Sequence, residues 1–443
     1  MQIKLSDHFT YSRLYRFTLP SIIMMIFTSV YGVVDGLFIS NFVGKEPFAA
    51  INLIFPVIML IGTVGFMMGA GGTAIVSKTL GEKDSERANK YFSFIVYATI
   101  AMGTSIALLA FVFMKPLAAL VGADGDTFKY CVKYGRIVVA AMPFFMIQNL
   151  FQSFFIAAEK PKLGLWVTVA AGVTNIVLDA LFVAVFDWGL PGAAFATSLS
   201  QLTGAVIPAF YFARKNTSLL KLVKTEFYGR VLLKSVTNGS SELVSNSAAS
   251  LVTILYNYQL MKFAEEDGVA AYGVIMYISF IFIAIFIGYS IGSAPIVGYN
   301  YGANNSPELK NLLKKSTVTL LTAGAVMTAV SFIFAKPLSM VFVSYDKTLL
   351  DTTARGMQIY SFSFIFVGFG IFASSFFTAL NNGPVSAIIS SLRTLIYQVL
   401  CILLLPIAFG LDGIWFSIIV AEALSFVTSW IFIIAKRKKY RYL

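Results

Sequence analysis

The chain has 443 residues, of which 58% are hydrophobic and 12% charged, with a mean hydropathy of +0.80. That balance excludes an ordinary soluble globular protein. With one histidine (His8) and two cysteines (Cys131 and Cys401), the sequence also excludes a histidine proton relay, a disulfide framework and a multi-thiolate metal site, and a net charge of +12 needs another explanation.

Apolar runs of bilayer-spanning length recur along the chain without two-residue alternation, which predicts membrane helices rather than barrel strands. Read against charged or Gly/Pro breaks, they predict twelve spans near 17–42, 51–76, 91–114, 131–157, 163–187, 192–213, 236–262, 269–297, 313–335, 352–378, 385–409 and 413–435. The first is too long for a cleavable signal peptide and lacks a small-residue cleavage site. Most of the 33 Lys and Arg fall in segments that are internal if the N-terminus is cytoplasmic, among them 214–234 and Lys436 to Lys439. Both ends are therefore expected inside, with the positive charge facing anionic headgroups in the plasma membrane rather than nucleic acid.

The chain also repeats itself. Lys115-Pro116-Leu117 recurs as Lys336-Pro337-Leu338, and Gly81, Gly135 and Gly192 recur as Gly302, Gly356 and Gly413, all at an offset of 221. The expected architecture is all-α: a polytopic membrane protein with twelve transmembrane helices in two pseudo-symmetric six-helix lobes, 1–213 and 236–443, joined by a cytoplasmic linker, 214–235. Parallel repeats of this kind place a substrate site between the halves.

Span 1 carries one acid, Asp35, between Gly32 and Gly36, whose spacing allows a close helix approach. A carboxylate at membrane depth is costly unless neutralised or paired, which makes it a candidate functional group. Asp35 is roughly 10 Å from the outer end of its span, Asp179 on span 5 roughly 12 Å and Thr197 on span 6 roughly 9 Å, with Asn175 one turn below Asp179. This oxygen-rich set suits a monovalent cation such as Na+, or a proton shared between two acids. At the repeat offset the second half has Tyr256, Ile396, Leu400 and Ile418, so the donors are expected in the first half alone. Buried polar groups that satisfy one another for packing are the competing reading.

Weaker candidates follow along the chain. Met142, Met146 and Phe154 suit an adaptable apolar substrate cavity, to which Gln152, Tyr256, Glu242 and Arg393 would add polar contacts. A structural pair, for example Arg393 with Glu242, competes with that role, and Glu422 is a further acid within a span. Glu159 and Lys160 read as a solvated helix end, and Arg136 and Arg355 as snorkelling side chains. The Gly-rich stretches Gly69 to Gly72 and Gly288 to Gly302 lack P-loop spacing and read as helix-packing surfaces.

Gly292-Ser293-Ala294-Pro295-Ile296-Val297-Gly298-Tyr299-Asn300-Tyr301-Gly302-Ala303, with its counterpart Gly72-Thr73-Ala74-Ile75-Val76-Ser77, resembles the span-8 and span-2 signatures of the multidrug and toxic compound extrusion (MATE) family, in its MepA-like bacterial branch. The resemblance implies two lobes in a V, alternating access, and antiport of lipophilic or cationic drugs against Na+ or H+. It needs no catalytic residue or cofactor, and the unit is expected to work as a monomer. It also implies that Asp35, Asn175, Asp179 and Thr197 form the first-lobe cation site. A second-lobe site of the NorM type is not matched, because Glu242 lies too early in span 7 and span 10 has no acid beyond its start. The alternative is a flippase for lipid-linked oligosaccharide or peptidoglycan precursors, whose pyrophosphate calls for several inward arginines. Apart from Arg136 and Arg355 near span ends, only Arg393 lies within a span, and with His8 alone no nucleophile–histidine pair of an enzyme can form.

Overall fold

The computed structural model describes residues 3–344 and 346–443, and every regular element in it is helical. Eight stretches are long and apolar enough to cross a membrane among the described residues, and two pairs of shorter helices, each bent by 51°, count as one span each. Two of the eight hold two spans apiece. Gly229–Gly302 would be about 110 Å long if straight, far beyond the ~30 Å of a bilayer core, and it breaks at Ala264 and Glu265. The stretch ending at Tyr440 likewise reverses at Gly410, where φ is +56°. The total among the described residues is twelve spans, as the apolar runs predict.

The repeat is visible in local chemistry. Asp84 caps the Arg87 amide at the start of span 3, and Asn305 caps the Glu308 amide at the start of span 9. Each cap follows a left-handed residue, Lys83 (φ 63°) or Asn304 (φ 54°), that turns the chain out of the preceding helix. Span 4 bends between Gly125–Ala140 and Met142–Ala157, and span 10 at the equivalent place between Lys347–Ser361 and Phe364–Ala379. The helix of span 7 begins at Gly229, earlier than expected. The segment before it lies along span 3, with the Lys221 amide donating to Asn89 (2.6 Å) and the Val223 amide to Ser93 (2.8 Å).

The halves meet through glycines related by the repeat. A Cβ on Gly81 would land on the Tyr299 carbonyl oxygen, and one on Gly302 would land on the Lys78 carbonyl oxygen, the symmetric counterpart of the same contact. In the same way Gly71 abuts the span-7 backbone at Ser235 and Gly239, while Gly292 abuts Thr18 on span 1. Asn381 adds a hydrogen bond to the Ala74 carbonyl, 3.0 Å. These contacts lie on the face that carries both termini: Lys78 sits over the Tyr301 ring, and Tyr301 packs on Tyr440. That side of the interface is closed.

The N-terminal segment straps this closed face. The Leu5 amide donates to Glu159 (2.7 Å), the Phe9 amide donates to Glu308 (2.9 Å), and His8 Nδ1 pairs with the same carboxylate at 2.6 Å. Asn311 and Lys315 donate to the Phe9 carbonyl, and the Leu5 and Phe9 side chains are fully buried in the core of the second half. Glu159 is thus tied to the strap rather than left as a solvated helix end, and burial pushes its carboxyl above the usual range.

Candidate functional site

Three packing contacts set the register of spans 1, 5 and 6. Gly172 on span 5 leaves room for Phe27 and Tyr31 of span 1, and Ser200 of span 6 donates to the Ala171 carbonyl at 2.8 Å. Spans 1 and 5 run in the same direction and span 6 opposes them. Counting outward from the Gly172 level at 1.5 Å per residue puts Thr197 about 3 Å up, Asn175 about 4.5 Å, Asp35 about 6 Å and Asp179 about 10 Å. All four fall within about two helical turns of one another.

The side chains of Asp35, Asn175 and Asp179 lie close enough to interact directly. Asp179 is fully buried and Asn175 2% exposed. Even so, Asp35 Oδ1, both Asp179 carboxylate oxygens, Asn175 Nδ2 and Thr197 Oγ1 have no protein hydrogen-bond partner. Two carboxylates are both acceptors, so neither can satisfy the other unless a proton or cation lies between them. The donor set therefore fits a hard monovalent cation or a proton. No group of three His, Cys, Asp or Glu that would suit a divalent metal occurs among the described residues. Widened π-helical turns follow both carboxylates, Ile39–Val43 at the outer end of span 1, one turn after Asp35, and Ala180–Val185 directly after Asp179, a feature frequent at functional sites.

Three neighbours escaped the sequence reading. Tyr31, one turn before Asp35, and buried Tyr134 on span 4 both lie within electrostatic reach of the acids. Gln201, one turn from Thr197 on the same face, has a buried, unpartnered Oε1. Four-residue spacing from Asp35 and Thr197 was available as a signal for Tyr31 and Gln201. Tyr134 comes from a different span and only folding brings it near.

The second half corrects the fixed offset. Gly192 packs on the Phe182 carbonyl and its repeat partner Gly413 on that of Leu405, so span 11 runs two residues further on than an offset of 221 allows. The positions equivalent to Asn175 and Asp179 are Gln398 and Ile402, not Ile396 and Leu400, which are 42% and 50% exposed. The π-helical turn Leu392–Ile396 lies just upstream of these positions. Tyr256, the counterpart of Asp35, donates to Gln398 at 3.1 Å and stacks on Tyr272. The second half thus keeps a neutral, mutually satisfied pair where the first has acids without partners.

The structure disperses the expected cavity residues. Met142 and Met146 fill the space beside Gly62, Gly65 and Gly103, and Phe154 packs edge-on against Phe92, all three buried in the first-half core. Gln152 donates to Thr168 at 3.2 Å. Arg393 pairs with Glu422 at 2.9 Å rather than with Glu242. Glu242 instead lines a small cavity of about 40 Å³ between the halves, with Thr73 and Ser153 opposite Ser375 and Thr378.

A duplicated, twelve-span helical protein with carboxylates buried at membrane depth defines a membrane transporter of the two-lobe type. The MatE family model matches residues 20–181 and again residues 243–403, and the chain belongs to this family. It is 24% identical over 419 residues to the multidrug export protein MepA of Staphylococcus aureus (strain NCTC 8325 / PS 47), covering 92% of this chain and 90% of that protein. Among solved structures, one described as MATE in complex with MaL6 superposes with a TM-score of 0.92 at 20% identity, covering 97% of each chain. Another, described as the outward-facing conformation of a multidrug resistance MATE family transporter of the MOP superfamily, gives 0.91 at 21% identity, covering 97% of this chain and 96% of that one. At that identity the likeness is one of fold.

Proposed function

We propose that this protein is a multidrug exporter that moves lipophilic, often cationic, small molecules out of the cell in exchange for Na+ or H+ by alternating access. Its similarity to MepA over nine-tenths of the chain supports drug export. The pair of adjacent carboxylates, with Asp35 Oδ1 and both Asp179 oxygens lacking a protein partner, carries the coupling proposal. Lobes 1–213 and 236–443 move against each other across linker 214–235, in the plasma membrane, with both termini cytoplasmic. The unit works as a monomer and without a cofactor.

In the outward-open state, Asp35 and Asp179 take up the coupling cation, with Asn175 and Thr197 supplying neutral oxygens. Neutralising the acids draws spans 1, 5 and 6 together, repacks the first lobe and lowers its hold on drug. Release of the cation on the cytoplasmic side restores two adjacent negative charges and resets the cycle. Glu242, in the cavity between the halves, is the acid best placed to meet a cationic drug.

The flippase reading gains nothing from the geometry, because Arg393 is neutralised by Glu422 and offers no free guanidinium to a pyrophosphate. The test is ethidium efflux from vesicles with Na+ and pH gradients imposed separately. Asp35→Asn is expected to abolish gradient-driven efflux while the protein stays folded. Undiminished, gradient-dependent efflux in that variant would overturn the assignment.

A further inference from the structure

We propose that the outer flank of the first half holds a binding site for an anionic phospholipid of the leaflet opposite the termini. Spans 3, 4 and 6 enclose a groove of about 900 Å³ there. None of its lining residues comes from spans 1, 2, 7 or 8, which form the interface between the halves, so the groove opens toward lipid. The bend in span 4, at Ala141 with Pro143 in the first turn beyond it, carries Met142–Ala157 away from the line of Gly125–Ala140 and leaves the groove open.

The polarity of the groove is ordered along the membrane normal. Lys129, Lys133 and Arg136 project from one stripe of the first helix of span 4, at three- and four-residue spacing, and Lys115 faces them from the short helix Met114–Leu120. These cations mark the mouth, at headgroup level. Phe144, Phe195, Leu199 and Leu202 line the apolar body at acyl-chain depth, and Phe144, Phe195 and Leu199 are more than a third exposed. A charged mouth over an apolar channel matches an anionic amphiphile and repels the lipophilic cations proposed as cargo.

The charges are not accounted for by structure. Lys115, Lys133 and Arg136 have no ion-pair partner among the described residues, and Lys129 pairs with Asp126 at 2.8 Å in an exposed contact worth little. Arg136 lies over the Phe111 ring with a buried Nε that no protein group satisfies. The repeat supplies a control: at an offset of 221 the counterparts of Lys129, Lys133 and Arg136 are Leu350, Ala354 and Met357. Lys115 alone is kept, as Lys336, and there it pairs with Asp351 at 3.3 Å, so the cationic stripe on span 4 belongs to the first half.

The test is native mass spectrometry of the full-length protein, delipidated and titrated with phosphatidylglycerol or phosphatidylcholine. The wild type is expected to retain phosphatidylglycerol preferentially. The variant carrying Lys129→Gln, Lys133→Gln and Arg136→Gln is expected to lose at least ten-fold in that preference, given roughly five-fold per removed charge. Ser198→Trp, which fills the groove body and leaves every charge in place, is expected to lose the same lipid and covers the case of a misfolded triple variant. Equal retention of the two lipids, undiminished binding by both variants, or equally strong competition by free glycerophosphate would each overturn the site.

Discussion

The contact between Gly81 and Gly302 offers the sharpest test of how the closed face is held. Replacing either glycine by alanine puts a Cβ onto a carbonyl oxygen of the facing helix, Tyr299 for Gly81 and Lys78 for Gly302. For Gly81 the new atom would also stand 2.9 Å from the Ala303 amide nitrogen. The obstructing atoms are backbone, so no rotamer change relieves them and the helices must separate. Overpacking of this kind costs up to about 3 kcal/mol, a population shift of roughly 150-fold against the closed face. A protein that opens this face about 1% of the time would then open it about 60% of the time. The assay is the distance distribution between spin labels at exposed Glu86 and Lys310, at the starts of spans 3 and 9. Each variant is expected to gain a longer-distance population of similar size, and the double variant to show less than the sum, because one helix separation relieves both clashes. Gly273→Ala, where a Cβ meets nothing within 4 Å, is the control and is expected to leave the distribution unchanged. Wild-type distributions in both Gly81→Ala and Gly302→Ala would refute the reasoning.

Phe9→Ala removes a fully buried ring from the strap and is expected to destabilise the protein by about 3–5 kcal/mol, read by thermal unfolding in detergent. Glu422→Gln leaves Arg393, 15% exposed, without its charged partner and is expected to cost about 3–5 kcal/mol, whereas replacing both by leucine and methionine is expected to recover most of it. Tyr256→Phe strands the buried Gln398 carbonyl at a cost of about 1–3 kcal/mol in stability, and the Na+ or pH dependence of efflux is expected to stay as in the wild type. A changed ion dependence in that variant would show that the second half also takes part in coupling.

What the sequence determined by itself were the features that act locally or repeat. Continuous apolar runs dictate helices of membrane length, because lipid offers no partner to an unpaired backbone group. The recurring Lys-Pro-Leu and glycine positions announced two related halves, and the depths of Asp35, Asn175, Asp179 and Thr197 could be counted from their span ends. Tertiary structure decided everything that depends on rotation and register between helices. It chose Glu422 over Glu242 as the partner of Arg393, and it moved the span-11 equivalents two residues along to Gln398 and Ile402. It also carried the N-terminal strap across to Glu308, some 300 residues away in sequence. Met142, Met146 and Phe154 went into the core for the same reason: composition says that a side chain is apolar, but only the facing helix decides whether it meets a cavity or another side chain.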